Sequence, residues 1–146
     1  MNHHPCIATL LVPLLLLPAA PAFAARYVCT VNSVLGLSDS GQFATHEWET
    51  FYLNRQFVVD RDQGKVISTT ALKARLKNFD EDNEPKLVSR GDGDHPFLSI
   101  SIFEKTGEYA ALQINENFTG EDKPFYYQTY IGMLMAGTCI GDDRHD

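Results

Sequence analysis

Basic residues are scarce in this chain and never cluster. Lys and Arg together number 12 against 19 Asp and Glu, leaving a net charge of −7. An acidic chain without a basic patch lacks the electrostatic footprint of a nucleic-acid binder or of a protein that docks on anionic lipid. No H-x-x-x-H or H-E-x-x-H exists, so the usual helical metal signature is missing. No G-x-S-x-G marks a nucleophile elbow. There is no internal repeat, no low-complexity tract and no long helical pattern. No cofactor is implied by any of this.

Charge is also missing from the first 25 residues. Leu10, Leu11, Val12 and Leu14 to Leu17 form an apolar core there, and Ala22-Phe23-Ala24 supplies the small-x-small pattern of a signal-peptidase site. Residues 1–24 therefore read as a cleaved signal peptide, and residues 25–146 as a single β-rich domain of 146 − 24 = 122 residues. The run is short for a bilayer, Pro13, Pro18 and Pro21 interrupt it, and no basic stop-transfer cluster follows. The expectation is an exported protein, periplasmic or extracellular, with no stable membrane insertion after cleavage.

Cysteine use fits that compartment. Cys6 leaves with the signal, and Cys29 and Cys139 remain near the two ends of the mature chain. Two cysteines in an exported domain most often pair. The closed loop would hold 139 − 29 + 1 = 111 residues, worth up to about 4–5 kcal/mol in the chain-entropy model. A metal or a catalytic thiol is the alternative, but no second cysteine or histidine stands at ligand spacing.

The dominant signal in the mature chain is alternation. Leu98, Ile100 and Ile102 alternate with Ser99 and Ser101, and Ala110, Leu112 and Ile114 alternate with Tyr109 and Gln113. Lys105-Thr106-Gly107 reads as the turn between these strands. Phe57 to Asp60 and Lys65 to Ser68 flank a second hairpin turn with Gly64 at its left-handed position. Tyr27 to Val31 and Lys86 to Ser89 add two strands. His46 to Asn54, with Trp48, Thr50, Phe51 and Tyr52, reads as another, and Phe125 to Cys139 as one long strand with bulges or bends at Gly132 and Gly137. The fold class is all-β: a single antiparallel barrel or sandwich of about eight strands. Thr70 to Phe79 fits a short helix, with Leu72, Leu76 and Phe79 on one face, and also fits a strand. Its Ala, Leu, Lys and Arg content favours the helix. Parity places Cys29 with Tyr27 and Val31, and Cys139 with Ile131, Met133 and Met135, so both cysteines face inward. The bond should then join the two end strands across the core.

Candidate sites are sparse. His46, His95 and His145 are scattered, and scattered surface histidines are commoner than metal ligands. Gly91-Asp92-Gly93-Asp94-His95 gathers two carboxylates and an imidazole in a turn, but acidic turns are common and the bidentate Glu of a calcium loop is missing after Asp60 to Gly64. An Asp94-His95-Ser99 triad can be drawn, as it can in any chain with several serines. Glu47 and Glu49 would share a strand face as a carboxylate pair, among neighbours that suggest a solvated face. Asn117-Phe118-Thr119 matches the N-glycosylation acceptor pattern. Phe125, Tyr126, Tyr127 and Tyr130 with Met133 and Met135 give the richest stretch of adaptable contact area. Inward, these are core. In an incompletely filled core, Tyr127, Met133 and Met135 would line a cavity for an apolar ligand. Exposed, the stretch would be a partner patch.

Phe57-Val58-Val59-Asp60-Arg61 with Gly64, Lys123-Pro124-Phe125 and Gly137-Thr138-Cys139 resemble fragments of small exported bacterial proteins of unknown function. That resemblance transfers no activity and no site residue. The overall plan, one cysteine in the first strand and another at the end of the last, is similar to periplasmic lysozyme inhibitors. Their Ser-Gly-x-x-Tyr loop has no match, because Gln42, Phe43 and Ala44 follow Ser40-Gly41. The expectation is a non-enzymatic exported domain binding a small apolar ligand or a protein partner. The alternatives are a hydrolase or isomerase on a β-barrel, or a structural envelope component.

Overall fold

A computed structural model describes residues 26–68, 85–103, 106–129 and 132–142. The expected signal segment 1–24, the segment 70–79, and Tyr130, Ile131 and His145 lie outside them. Nine strands and one short helix form among the described residues: β1 Arg26–Leu37, β2 Phe43–Thr45, α1 Glu49–Tyr52, β3 Gln56–Asp60, β4 Val66–Ser68, β5 Lys86–Arg90, β6 Phe97–Ile102, β7 Tyr109–Ile114, β8 Lys123–Gln128 and β9 Leu134–Asp142. They make one antiparallel sheet ordered β4-β3-β1-β9-β8-β7-β6-β5, with β2 added to β1. The sheet curls into a half-barrel, so the expected all-β architecture is present as a single curved layer around its core.

β1 and β9, the first and last strands, are neighbours in the middle of that order. Cys29 stands directly opposite Cys139 in their register, and the pair forms a disulfide with both residues fully buried. The inward parity is as expected. The bond does not cross the core, however: it ties adjacent strands, because residues facing each other on an antiparallel pair have Cβ atoms close enough to bridge.

Alternation on β3 and β7 buries Phe57 and Val59, and Ala110, Leu112 and Ile114. β1 carries a bulge between Val31 and Ser33, which shifts its inward phase so that Val34, not Ser33, enters the core. Gly137 on β9 lies against this bulge. A Cβ there would overlap the Thr30 carbonyl oxygen and crowd the Phe125 ring, so only glycine allows the two strands to approach. The bulge thus belongs to β1 rather than to the strand that carries the glycine.

Three expectations fail for identifiable reasons. His46 to Asn54 is no strand: α1 forms within it, begun by Glu49 N–H to His46 O at 2.9 Å and closed by Leu53 N–H to Glu49 O at 2.8 Å. Here local turn bonds and burial of Tyr52 outweigh the β preference of the aromatic residues. Phe125 to Cys139 divides into β8 and β9. Gly132 has φ 77° and donates to Thr129 O, and the Thr129 hydroxyl bonds the Met133 backbone, so the glycine marks a hairpin turn. On β6 the polar face turns inward. Ser99 and Ser101 are buried while Ile102 is exposed. Phe97 sets this phase, since its fully buried ring packs edge-on to Tyr27 at 5.8 Å and the register then aligns Ser99 with Leu112 and Ser101 with Ala110. A one-residue slip would bury the isoleucines but expose Phe97.

Candidate functional site

Three regions could carry function: the interior, the charged node where the ends of the sheet approach, and the apolar residues left outside.

The candidate cavity residues belong to the core. Tyr127, Met133 and Met135 are all buried, and Phe57 packs edge-on to Phe125 at 5.2 Å with Tyr127 beside it at 6.3 Å. Met133 and Met135 follow β9's inward phase into the core cluster with Cys139 and Val34. Tyr127 borders a cavity shared with Gly64, Ser99, Ser101, Ala110 and Leu112, which encloses about 10 Å³. That is space for one water at most, far below the roughly 300 Å³ at which small-molecule sites begin.

The charged node grows from strand parity. Arg61 continues the inward phase of Phe57 and Val59, and Glu116 continues that of Leu112 and Ile114. Both are buried, at 6% exposure each. Arg61 Nε donates to Arg90 O at 2.8 Å and Nη2 to Gly91 O at 2.6 Å. Nη2 also meets Glu116 Oε2 at 3.0 Å and Oε1 at 2.9 Å. Gly93 N–H donates to Glu116 Oε2 at 3.1 Å. Three loops, after β3, β5 and β7, are thereby clasped together. The Arg61 guanidinium also lies 5.4 Å from the Tyr27 ring centroid. Gly91, at φ 70°, is needed here twice over, because a Cβ would strike the Glu116 carboxyl. Burial lowers the Arg61 pKa, with Asp62 and Asp92 pulling it back. Burial likewise raises the Glu116 pKa, against the Gly93 N–H and the charge of Lys123. Ser99 Oγ adds a second tie, donating to Gly64 O at 2.7 Å.

Asp92 and His95 sit above this clasp and are exposed. Asp92 Oδ1 takes the backbone N–H groups of Asp94 and His95 and contacts His95 Nδ1 at 2.9 Å. These bonds, led by the His95 backbone N–H, lower the Asp92 pKa. The carboxylate is thus engaged in shaping its own turn. Asp60 does the same in the β3–β4 turn through Asp62 and Gln63 N–H. The drawn triad does not assemble, because Ser99 is buried and bonded to Gly64 while His95 is held by Asp92 in an exposed loop. Among the described residues no three or more His, Cys, Asp or Glu side chains gather as metal ligands, and no helix is long and apolar enough to cross a membrane. Glu47 and Glu49 do not share a strand face, since Glu49 opens α1.

Outside the core, Leu37, Phe43, Phe51 and Leu53 are exposed on the stretch that runs from the end of β1 through α1. Tyr126 points outward, at 41% exposure, with its hydroxyl donating to Gln113 at 2.6 Å. Asn117, Phe118 and Thr119 of the glycosylation pattern are also exposed. Comparison of the chain with protein-family models, curated proteins and solved structures finds no match.

Sequence reasoning missed the Arg61–Glu116 clasp. The signal was available: each charge falls in the buried phase of its own strand, where an ionised side chain must find a partner.

Proposed function

We propose that the chain is an exported, non-enzymatic binding domain and that it binds a protein. The observation carrying this is the contrast, among the described residues, between a cavity of only about 10 Å³ beside Tyr127 and large apolar side chains left outside, led by Leu37 at 65% and Phe43 at 62% exposure. An apolar ligand needs enclosed volume, whereas a protein partner needs exposed contact area. The paired Cys29 and Cys139 and the uncharged leader fit an oxidising destination outside the cytoplasm. Catalysis finds no support in the charged node, where Arg61 bonds the Arg90 and Gly91 carbonyls and Glu116 Oε2, and Oε2 also takes the Gly93 N–H.

Native mass spectrometry of the protein isolated from its own host tests this. The expected spectrum contains the processed chain with a second polypeptide. A retained small apolar molecule at full occupancy would overturn the reading in favour of a ligand carrier.

A further inference from the structure

The exposed apolar side chains between β1 and α1 are not scattered. Leu37 and Phe43 are directly opposite in the β1–β2 register, so their side chains leave the same face of the ribbon. β9 pairs with β1 only as far as Leu35. The last pairs, Gly36 with Ala44 and Leu37 with Phe43, therefore overhang the main sheet as a two-stranded tip.

The tip is organised from within. Ser38 N–H donates to Gln42 O at 2.9 Å and Gly41 N–H to Ser38 O at 2.8 Å, with Gly41 at φ 76°. At its base His46 N–H bonds Val34 O at 3.0 Å. The His46 ring accepts the Trp48 N–H and meets the Trp48 ring edge-on at 5.5 Å. Gly36 leaves the space for the His46 ring, because a Cβ there would come within 2.7 Å of it. A contact surface fixed in this way loses little conformational entropy on binding. Phe51 in α1 and Leu53 just after it are also exposed, at 51% and 38%.

Charge in this stretch has one sign. Between Arg26 and Arg55 there is no Lys or Arg, while Asp39, Glu47 and Glu49 are present. An apolar tip on a stretch that carries acidic residues and no Lys or Arg is complementary to an apolar cleft rimmed by cations. A second copy of this chain, at net charge −7, brings like charge to the same surface.

We propose, building on the protein-partner reading, that the β1–β2 tip with α1 is the docking surface, and that its partner is a cationic protein whose apolar cleft receives Leu37 and Phe43. The test places a photo-crosslinking residue at position 43 of the full chain in its own host, with position 140 as control. Ile140 is equally apolar and 54% exposed, on the outer face of β9. The expected result is an adduct at 43 and not at 140. The captured protein should be net positive, and the yield should fall several-fold between about 0.05 M and about 0.5 M salt, where screening is nearly complete. Asp39→Lys with Glu47→Lys keeps both apolar side chains and should lower the yield several-fold with the melting temperature unchanged. An adduct equal at both positions, an acidic or salt-insensitive partner, or an adduct with the chain itself overturns the proposal. A polypeptide seen by native mass spectrometry that fails to crosslink at 43 removes this surface and leaves the broader reading standing.

Discussion

The Cys29–Cys139 bond lies in one buried apolar cluster with Val31, Met135, Phe125 and Phe57, and Phe57 stands opposite Cys29 on β3. Where the two ends of the sheet approach, the groups are Arg61, Glu116, Ser99 and the backbone of Gly64, Arg90, Gly91 and Gly93. The middle is held by apolar burial and a covalent bond, which respond little to salt or pH. The seam is held by hydrogen bonds and an ion pair, whose contribution depends on every partner being present. A half-barrel has two edges to bring together, and here side chains perform the closure that ladder bonds perform within the sheet.

Gly137→Val attacks the middle most severely. Its side chain has to displace the Thr30 carbonyl and the Phe125 ring, and a loss of more than about 4 kcal/mol is expected, read as loss of the cooperative unfolding transition in denaturant. A variant that unfolds at the wild-type midpoint would show that the β1 bulge can relax.

Arg61→Met attacks the seam and leaves Glu116 buried without its cation. A loss of about 3–5 kcal/mol is expected. Arg61→Met combined with Glu116→Leu should recover most of it, because the stranded charge is then gone. If the double variant is as unstable as the single one, the clasp matters through the bonds of Arg61 to Arg90 O and Gly91 O rather than through charge.

Cys29→Ala with Cys139→Ala should cost about 2–4 kcal/mol, or roughly ten degrees in melting temperature for a domain of this size. The apolar cluster around the pair remains, so the fold should survive. Hydrogen exchange should then rise first at the β1–β9 ladder. Faster exchange first at the seam would reverse the comparison.

The smallest effect is a pair of pH responses with opposite sign. Burial raises the Glu116 pKa, so the associated stability is present below the ordinary carboxylate range and is lost as pH rises through the raised value. Glu116→Gln should flatten that loss. The Asp92 pKa is lowered, chiefly by the His95 N–H. Its contribution is present above the ordinary Asp value, about 3.9, and is lost as pH falls through the depressed one. Melting curves of Asp92→Asn and the native chain should therefore converge on acidification and separate above it. Parallel curves would show that the turn bonds do not favour the ionised form.

Much of the fold was legible because alternation is a local property. Ala110, Leu112 and Ile114 announce a strand and its buried face together, and Asp60 to Gly64 announces its turn through a glycine that takes φ 71°. Phe97 to Ile102 misled for a corresponding reason. Its aliphatic residues outnumber its aromatic one, but Phe97 has the larger side chain and fixes the phase through Tyr27. Trp48 to Tyr52 misled because β preference is an average over contexts, whereas three backbone bonds decide a turn.

The sequence by itself determined most of the strands, the inward facing of Cys29 and Cys139 and the two glycine-bearing turns at Gly64 and Gly107, since each depends on residues a few positions apart. It also placed Arg61 and Glu116 in buried phases, without saying what they meet. Tertiary structure alone decided that β1 and β9 are neighbours, that Arg61 reaches Glu116 across 116 − 61 = 55 positions, and that Tyr127 and Met135 are buried in one cluster. The same holds for the overhang of Leu37 and Phe43, which exists because β9 stops pairing at Leu35. Periodicity gives the face a residue presents. Which strand lies opposite that face, and where the pairing stops, follow from the packing of the whole sheet.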